Sequence, residues 1–218
     1  MRVVDRHTEN IRISSYLSKL PVIGREQKKD VVRLGPDDVV PILKAQQIDF
    51  VLVGAHGIAG WLAEPRATQD VDVILKIRDR KKATDAILRK FPDLVLEKHP
   101  VVWRFKNGEQ YIIDLMFTNS PLFKRVTTEC VVKKIGRHDT KIPKLEAAIA
   151  MKFAAMIGPF RNKRKSKQDV VDVMSIVERN KDIDLTLLNE LGELVYEGGG
   201  KEVVKIVEDI RAGRDVEI

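Results

Sequence analysis

The sequence predicts an α+β protein: a mixed-sheet domain to about residue 142, followed by a helical C-terminal region. Three observations carry that reading. Short apolar runs of strand length recur between residues 50 and 135, broken by Gly, Pro and Asn. Asn107-Gly108 stands between two of these runs, the strongest short-range signal for a hairpin. Beyond Pro143 the apolar spacing becomes helical and stays so to the end.

Composition sets the outer limits. The 218 residues are 44% hydrophobic and 33% charged, enough apolar matter for a sizeable core, which excludes wholesale disorder. The longest uncharged run, 50–63, is too short to span a bilayer and contains Gly54, His56, Gly57 and Gly60. MRVVDRHTEN has no apolar segment of the secretory kind, so a soluble, cytoplasmic protein without a membrane partner is expected. Cys130 is alone and the four histidines are scattered, so no internal disulfide or zinc site is expected. The 39 Lys and Arg against 32 Asp and Glu give +7, a modest bias toward polyanions.

Taken in order, residues 1–35 are basic and weakly periodic, with Pro21 and Gly24 as punctuation, and read as an N-terminal extension. Gly35-Pro36-Asp37-Asp38 opens a helix to about residue 47, with acidic residues in its first turn. This begins the core domain, 36–142. Residues 49–53 form a buried strand ending at Gly54, and small apolar residues over 58–63 form a short helix. Residues 70–77, rich in β-branched side chains, read as a strand, and 80–90 as a helix burying Ala83, Ala86 and Ile87. Strands follow over 94–96, 101–105 and 111–117, then a weaker one over 129–135 that takes in Cys130; Trp103 and Phe105 share a core face. In the C-terminal region, 143–218, Pro143 opens a helix at its first position and Gly158-Pro159 closes it. Ser166 caps the next helix, and two more, over 184–196 and 201–211, are joined by a flexible turn at Gly198-Gly199-Gly200.

The sharpest chemical feature is Asp70-Val71-Asp72. A strand's side-chain period is two, so both carboxylates leave one face. Held together they repel, unless a cation sits between them. Oxygen-only ligands suit Mg²⁺ together with substrate phosphates; the alternative is a solvated sheet edge. Asp114 lies in the apolar run Ile112-Ile113-Asp114-Leu115-Met116, where an unpaired carboxylate is expensive. Brought beside Asp70 and Asp72 it completes a two-metal site; the alternative is a salt bridge to Arg104. Gly54-Ala55-His56-Gly57, between a strand and a helix, lets backbone N–H groups approach a phosphate. It is neither a Walker A loop nor a GxGxxG fingerprint. His56 is either a phosphate contact or a residue making a structural hydrogen bond.

FVLVGAHGIAGWLAEPRATQDVDVIL, followed by IIDLM, resembles the nucleotidyltransferase superfamily with the DNA polymerase β-like fold. The pattern is closest to the compact prokaryotic AbiEii-toxin and minimal nucleotidyltransferase types. Many of these carry Gly-Gly-His and then Arg-x-Thr-x-Asp-x-Asp, which Arg66, Thr68, Asp70 and Asp72 match over residues 66–72. The chain departs from the pattern at Ala55, which replaces the second glycine and whose methyl would crowd a triphosphate, and in a slightly longer spacing to Asp70.

The resemblance implies a nucleotidyltransferase using two Mg²⁺ ions, or Mn²⁺, with an NTP such as ATP as substrate. Asp70, Asp72 and Asp114 would hold metal. Gly54, Ala55, His56, Gly57, Arg66, Thr68 and Lys152 would contact the nucleotide, and Asp169 would be a catalytic base. Lys152 falls on the apolar stripe of its helix with Leu145, Ile149 and Met156, where a lysine must find an anion. Ser166-Lys167-Gln168-Asp169 also reads as a capping box, the alternative role for Asp169. The acceptor implied is an RNA, tRNA among them, or a protein hydroxyl, and a cognate antitoxin is a candidate partner. The rival reading is a non-catalytic RNA- or protein-binding module that uses the basic run 161–167, itself either a solvated loop or a track for phosphates.

Overall fold

The computed structural model describes residues 5–20, 32–159 and 161–216. Pro21 and Gly24 lie outside these. In chain order the elements are α1 (Arg6–Lys19), α2 (Pro36–Ala45), β1 (Phe50–Leu52), α3 (Gly54–Ile58), β2 (Val71–Leu75), α4 (Arg80–Lys90), β3 (Val95–Lys98), β4 (Val102–Asn107), β5 (Gln110–Phe117), α5 (Pro121–Val126), β6 (Cys130–Ile135), β7 (His138–Pro143), α6 (Leu145–Met156), α7 (Lys163–Arg179), α8 (Leu185–Glu193) and α9 (Gly199–Arg211). The strands form one mixed sheet in the order β3-β4-β5-β2-β1-β7-β6, in which β2–β5 and β1–β7 are the parallel pairs.

Strand periodicity divides the interior into two layers. Val71, Val73 and Leu75 of β2 join Phe50, Leu52, Ile113 and Leu115 on the face covered by α2 and α4. Ile74 leaves the opposite face and joins Val51, Val53 and the apolar sides of α6–α9, among them Phe153, Val173, Leu188 and Val207. Fully buried side chains such as Ile87 and Leu115 contribute about 1.5–3 kcal/mol each. Asp72, two residues from Ile74, shares its face. The same period that fills the larger core therefore aims this carboxylate at the layer of C-terminal helices.

The hairpin at Asn107-Gly108 forms as expected, with Gly108 at φ 57°. Phe105 is fully buried, and Trp103 packs edge-on against Phe117 with centroids 5.5 Å apart. Four local expectations are corrected. The helix after β1 starts at Gly54 rather than at residue 58, because Gly54 at φ 61° turns the chain at once and Gly57 N donates to Val53 O at 3.0 Å. Pro143 is the last residue of β7, not the first of a helix; α6 begins at Leu145. Helix α7 is capped by Asn162, whose side chain accepts from Arg164 N at 2.8 Å. Ser166 lies within that helix and donates to Met156 O at 2.7 Å. Of the Gly198–Gly200 segment only Gly198, at φ 90°, is an open turn; Gly199 and Gly200 are the close-packed start of α9, where a Cβ would lie 2.6 Å from Gly192 O or 2.5 Å from Asn189 O.

Helix α1 occupies part of the segment read as an extension. Asp5 caps it and pairs with Lys133 on β6 at 3.0 Å, while Lys19 pairs with Asp37 and Asp38 at 2.6 and 2.8 Å. Its buried side chains are Asn10, Ile11, Ser14 and Ser15, a mostly polar face with no apolar period to announce it.

Candidate active site

Parallel pairing of β2 with β5 sets Asp72 directly opposite Asp114, and antiparallel pairing of β4 with β5 sets Arg104 on Asp114's other side. Asp70 precedes β2 by one residue. One oxygen from each of Asp70, Asp72 and Asp114 lies within 4.8 Å of the others. The three carboxylates open onto a cavity of about 380 Å³ between the sheet, α6 and the N-terminal part of α7. Gly54, Ala55, Arg66, Thr68, Lys152 and Asp169 line it as well. Arg104, Tyr111, Arg161 and Lys165 add to its walls, and Met116, Phe123 and Met151 make part of them apolar.

Gly54 is required where it stands. At φ 61° it has no side chain, and a Cβ there would fall 1.9 Å from Asp72 Oδ2. Thr68 faces Asp70, to which its hydroxyl donates at 2.6 Å. His56 is turned away from the cavity and is 1% exposed. Its Nδ1 lies 3.0 Å from Ser14 Oγ, and Ser14 gives its own proton to Arg66 O at 2.7 Å, so the imidazole donates through Nδ1. Burial pushes its pKa down to about 4. Gly57 is buried beneath the turn, where a Cβ would lie 2.4 Å from Leu52 O. The cavity thus takes Gly54 and Ala55 from the glycine turn and leaves His56 and Gly57 behind it.

Electrostatics at the three carboxylates are unfavourable without a cation. Burial pushes Asp72 well above the carboxylate range, and neighbouring Asp70 and Asp114 add to that. Burial raises Asp114 to about 6, against the pull of Arg104, whose Nε lies 3.2 Å from Oδ2. The salt bridge weighed as an alternative for Asp114 is therefore present, yet it satisfies one oxygen only. Oδ1 is buried without a hydrogen-bond partner. An oxygen-only donor set, a buried unpartnered oxygen and crowded negative charge fit a hard divalent cation.

The far wall holds an ionic chain. Lys152 Nζ lies 2.8 Å from Asp169 Oδ1 and 2.7 Å from Asp172 Oδ2. Arg66 reaches Asp172 through two bonds of 2.9 and 2.8 Å, and Arg161 reaches Asp169 through contacts of 2.9 and 2.6 Å. Burial works against charge on Asp172, but the bonds from Arg66 and Lys152 hold its carboxyl below the usual range. Lys152 has found its anions inside the protein. Asp169 and Asp172, three apart, share one face of α7, a spacing visible in the sequence. The paired contact of Arg161 with Asp169 has no sequence signal beyond its place in the basic run.

No protein-family profile and no curated protein matches the sequence. In structure the chain is similar to an antigenic nucleotidyltransferase-like protein from Paracoccidioides brasiliensis, with a TM-score of 0.50 and 18% identity. That match covers 79% of this chain and 89% of the other. The antibiotic-resistance factor ANT(2'')-Ia gives a TM-score of 0.49 at 13% identity, covering 81% and 94%. Strand order, the likeness to the fungal protein and the helices α6–α9 together give the chain the polymerase β-like nucleotidyltransferase fold, an α+β architecture.

Proposed function

We propose that the chain is a metal-dependent nucleotidyltransferase that transfers NMP from an NTP to a hydroxyl of an RNA or a protein and releases pyrophosphate. The observation that carries this reading is the meeting of Asp70, Asp72 and Asp114 at one end of a cavity whose other walls are cationic and apolar. Asp70 and Asp72 would hold Mg²⁺ on the nucleotide phosphates, and Asp114 would join Asp72 and Asp70 at the acceptor side. Such ions, when bound, neutralise phosphate charge and lower the pKa of the acceptor hydroxyl. The chain's own residues do the positioning. Thr68 orients Asp70. Arg104 engages one oxygen of Asp114 and leaves the other without a partner. Gly54 gives Asp72 the room to point there. Arg161 and Lys165 present positive charge to phosphates entering the cavity. Asp169 is engaged at both oxygens by Lys152 and Arg161, so this reading makes it the holder of those two cations.

The test is label transfer from each α-labelled NTP, with Mg²⁺, to total RNA and to the protein itself. Asp70→Ala and Asp114→Ala run alongside. Label that requires metal and both carboxylates supports the reading and identifies the acceptor; variants that transfer as well as the parent would sink it. A toxin role with a cognate antitoxin, implied by the resemblance, predicts growth arrest on induced expression that Asp70→Ala relieves.

A further inference from the structure

Helix α1 carries a stripe of polar side chains that fastens onto the connection between α3 and β2. Arg6 Nη2 donates to Ala63 O at 3.1 Å, and Asn10 Nδ2 donates to Ala59 O at 3.0 Å. Ser14 Oγ donates to Arg66 O at 2.7 Å. Ser18 Oγ accepts from Thr68 N at 3.0 Å. His7 packs edge-on against Trp61, with centroids 4.2 Å apart. Asn10, Ser14 and Ser18 are spaced four apart, so they lie in one row along the helix, and the backbone they bind ascends beside it.

The last bond in the row reaches the carboxylates. Thr68, whose N–H is held by Ser18, holds Asp70 through its hydroxyl at 2.6 Å. Ser18 is itself fixed, because its own proton goes to Ser14 O at 2.7 Å. Its lone pairs therefore point outward to Thr68. The connection 59–68 has no strand or long helix of its own to set its course, and α7 holds it from the other side through Ser175, Asn180 and Asp172.

We infer that α1 is a positioning element of the carboxylate centre and that Ser18 sets Asp70 through Thr68. The inference rests on the reading of Asp70, Asp72 and Asp114 as divalent-cation ligands. Ser18 touches neither substrate nor ion; it acts by restricting where the Thr68 hydroxyl, and so the Asp70 carboxylate, can go. One neutral hydrogen bond corresponds to a change of about three- to tenfold in the equilibrium it biases.

The experiment titrates Mn²⁺ into the nucleotide-free full chain and follows free ion by electron paramagnetic resonance, with thermal melting on the same samples. The proteins are the parent, Ser18→Ala, Ser18→Thr and Asp70→Asn. Alanine is a better helix former than serine, so Ser18→Ala keeps α1. Threonine in a helix makes the same hydroxyl bond to the carbonyl four residues back and keeps the acceptor. The expected result is Mn²⁺ binding by the parent, weakened about three- to tenfold in Ser18→Ala, restored in Ser18→Thr and lost in Asp70→Asn. Parental affinity in Ser18→Ala beside loss in Asp70→Asn overturns this inference alone. Loss in Ser18→Ala that Ser18→Thr does not restore also overturns it, since the hydroxyl would then not be the cause. A parent that binds no Mn²⁺ overturns the metal-site reading and this inference with it.

Discussion

Gly54→Ala tests the close approach of the glycine turn to Asp72. The backbone at Gly54 has φ 61°, which costs an L residue about 1–2 kcal/mol. The added Cβ would also meet Asp72 Oδ2 at 1.9 Å, Cγ at 2.7 Å and Cβ at 2.9 Å. Asp72 has little room to withdraw: its carbonyl accepts from Val53 N at 2.9 Å, and β2 is paired on both sides. Overpacking of this sort costs a further 1–3 kcal/mol or so. The sum, about 2–5 kcal/mol, lowers the melting temperature by roughly 6–15 °C in a domain of this size. Gly108→Ala is the control, because Gly108 has φ 57° with nothing within 4 Å of its Cβ position. It carries the backbone cost alone, about 3–6 °C, and leaves Mn²⁺ binding untouched. Thermal melting and Mn²⁺ titration of both variants give the comparison. If Gly54→Ala melts with Gly108→Ala and binds Mn²⁺ like the parent, the reasoning about Asp72 is refuted.

Lys152→Met strands two carboxylates that are 1% and 2% exposed, each left with one arginine. Breaking a buried pair in this way costs about 3 kcal/mol or more, read as a loss of chemical-denaturation stability, and an unchanged midpoint would contradict the burial of the chain. His56 is neutral in the fold with a pKa of about 4, so between pH 6.5 and 4 the unfolded chain binds the extra proton and stability falls with pH. The loss approaches about 3 kcal/mol. Raised pKa values at Asp72 and Asp114 act in the opposite direction over an overlapping range, so the measurement is the difference between parent and His56→Gln: on acidification from pH 6.5 to 4 the parent should lose stability relative to the variant. Gly192→Ala places a Cβ 2.7 Å from Gly199 O and Gly200 Cα, and should separate α8 from α9 with a loss of about 1–3 kcal/mol in unfolding experiments.

What the sequence disclosed followed from periodicity and turn chemistry. The Asn107-Gly108 hairpin follows from turn chemistry, and the helix over Arg80–Lys90 and the facing of Asp70 and Asp72 from spacings of 3.6 and of two. Helix α1 escaped because its buried stripe is Asn10, Ser14 and Ser15, which no apolar period marks. Strand β7 escaped because His138-Asp139-Thr140-Lys141 carries no apolar run and Pro143 reads as a helix start; its pairing with β1 and β6 comes from tertiary contact. At the candidate site, strand phase already singled out Asp70 and Asp72, and the apolar run around it singled out Asp114. The capture of Lys152 by Asp169 and Asp172 depends on how α6 packs on α7, which local sequence does not encode.

The parallel pairing of β2 with β5 has a consequence for how such a chain can change over evolution. Residues 72 and 114 meet because two strands share a phase, and that phase is enforced by the apolar residues that alternate with them. The stretch between Leu75 and Gln110, which contains α4, the edge strand β3 and its neighbour β4, forms one excursion that leaves the centre and returns to it. Insertions or deletions along that excursion would reshape the outer sheet edge without separating the carboxylates, provided β5 re-enters in step. A one-residue shift of β5 would instead swing Asp114 to the opposite face and destroy core and centre together. The fold thus divides the chain into parts free to diversify in length and a short paired segment that is not.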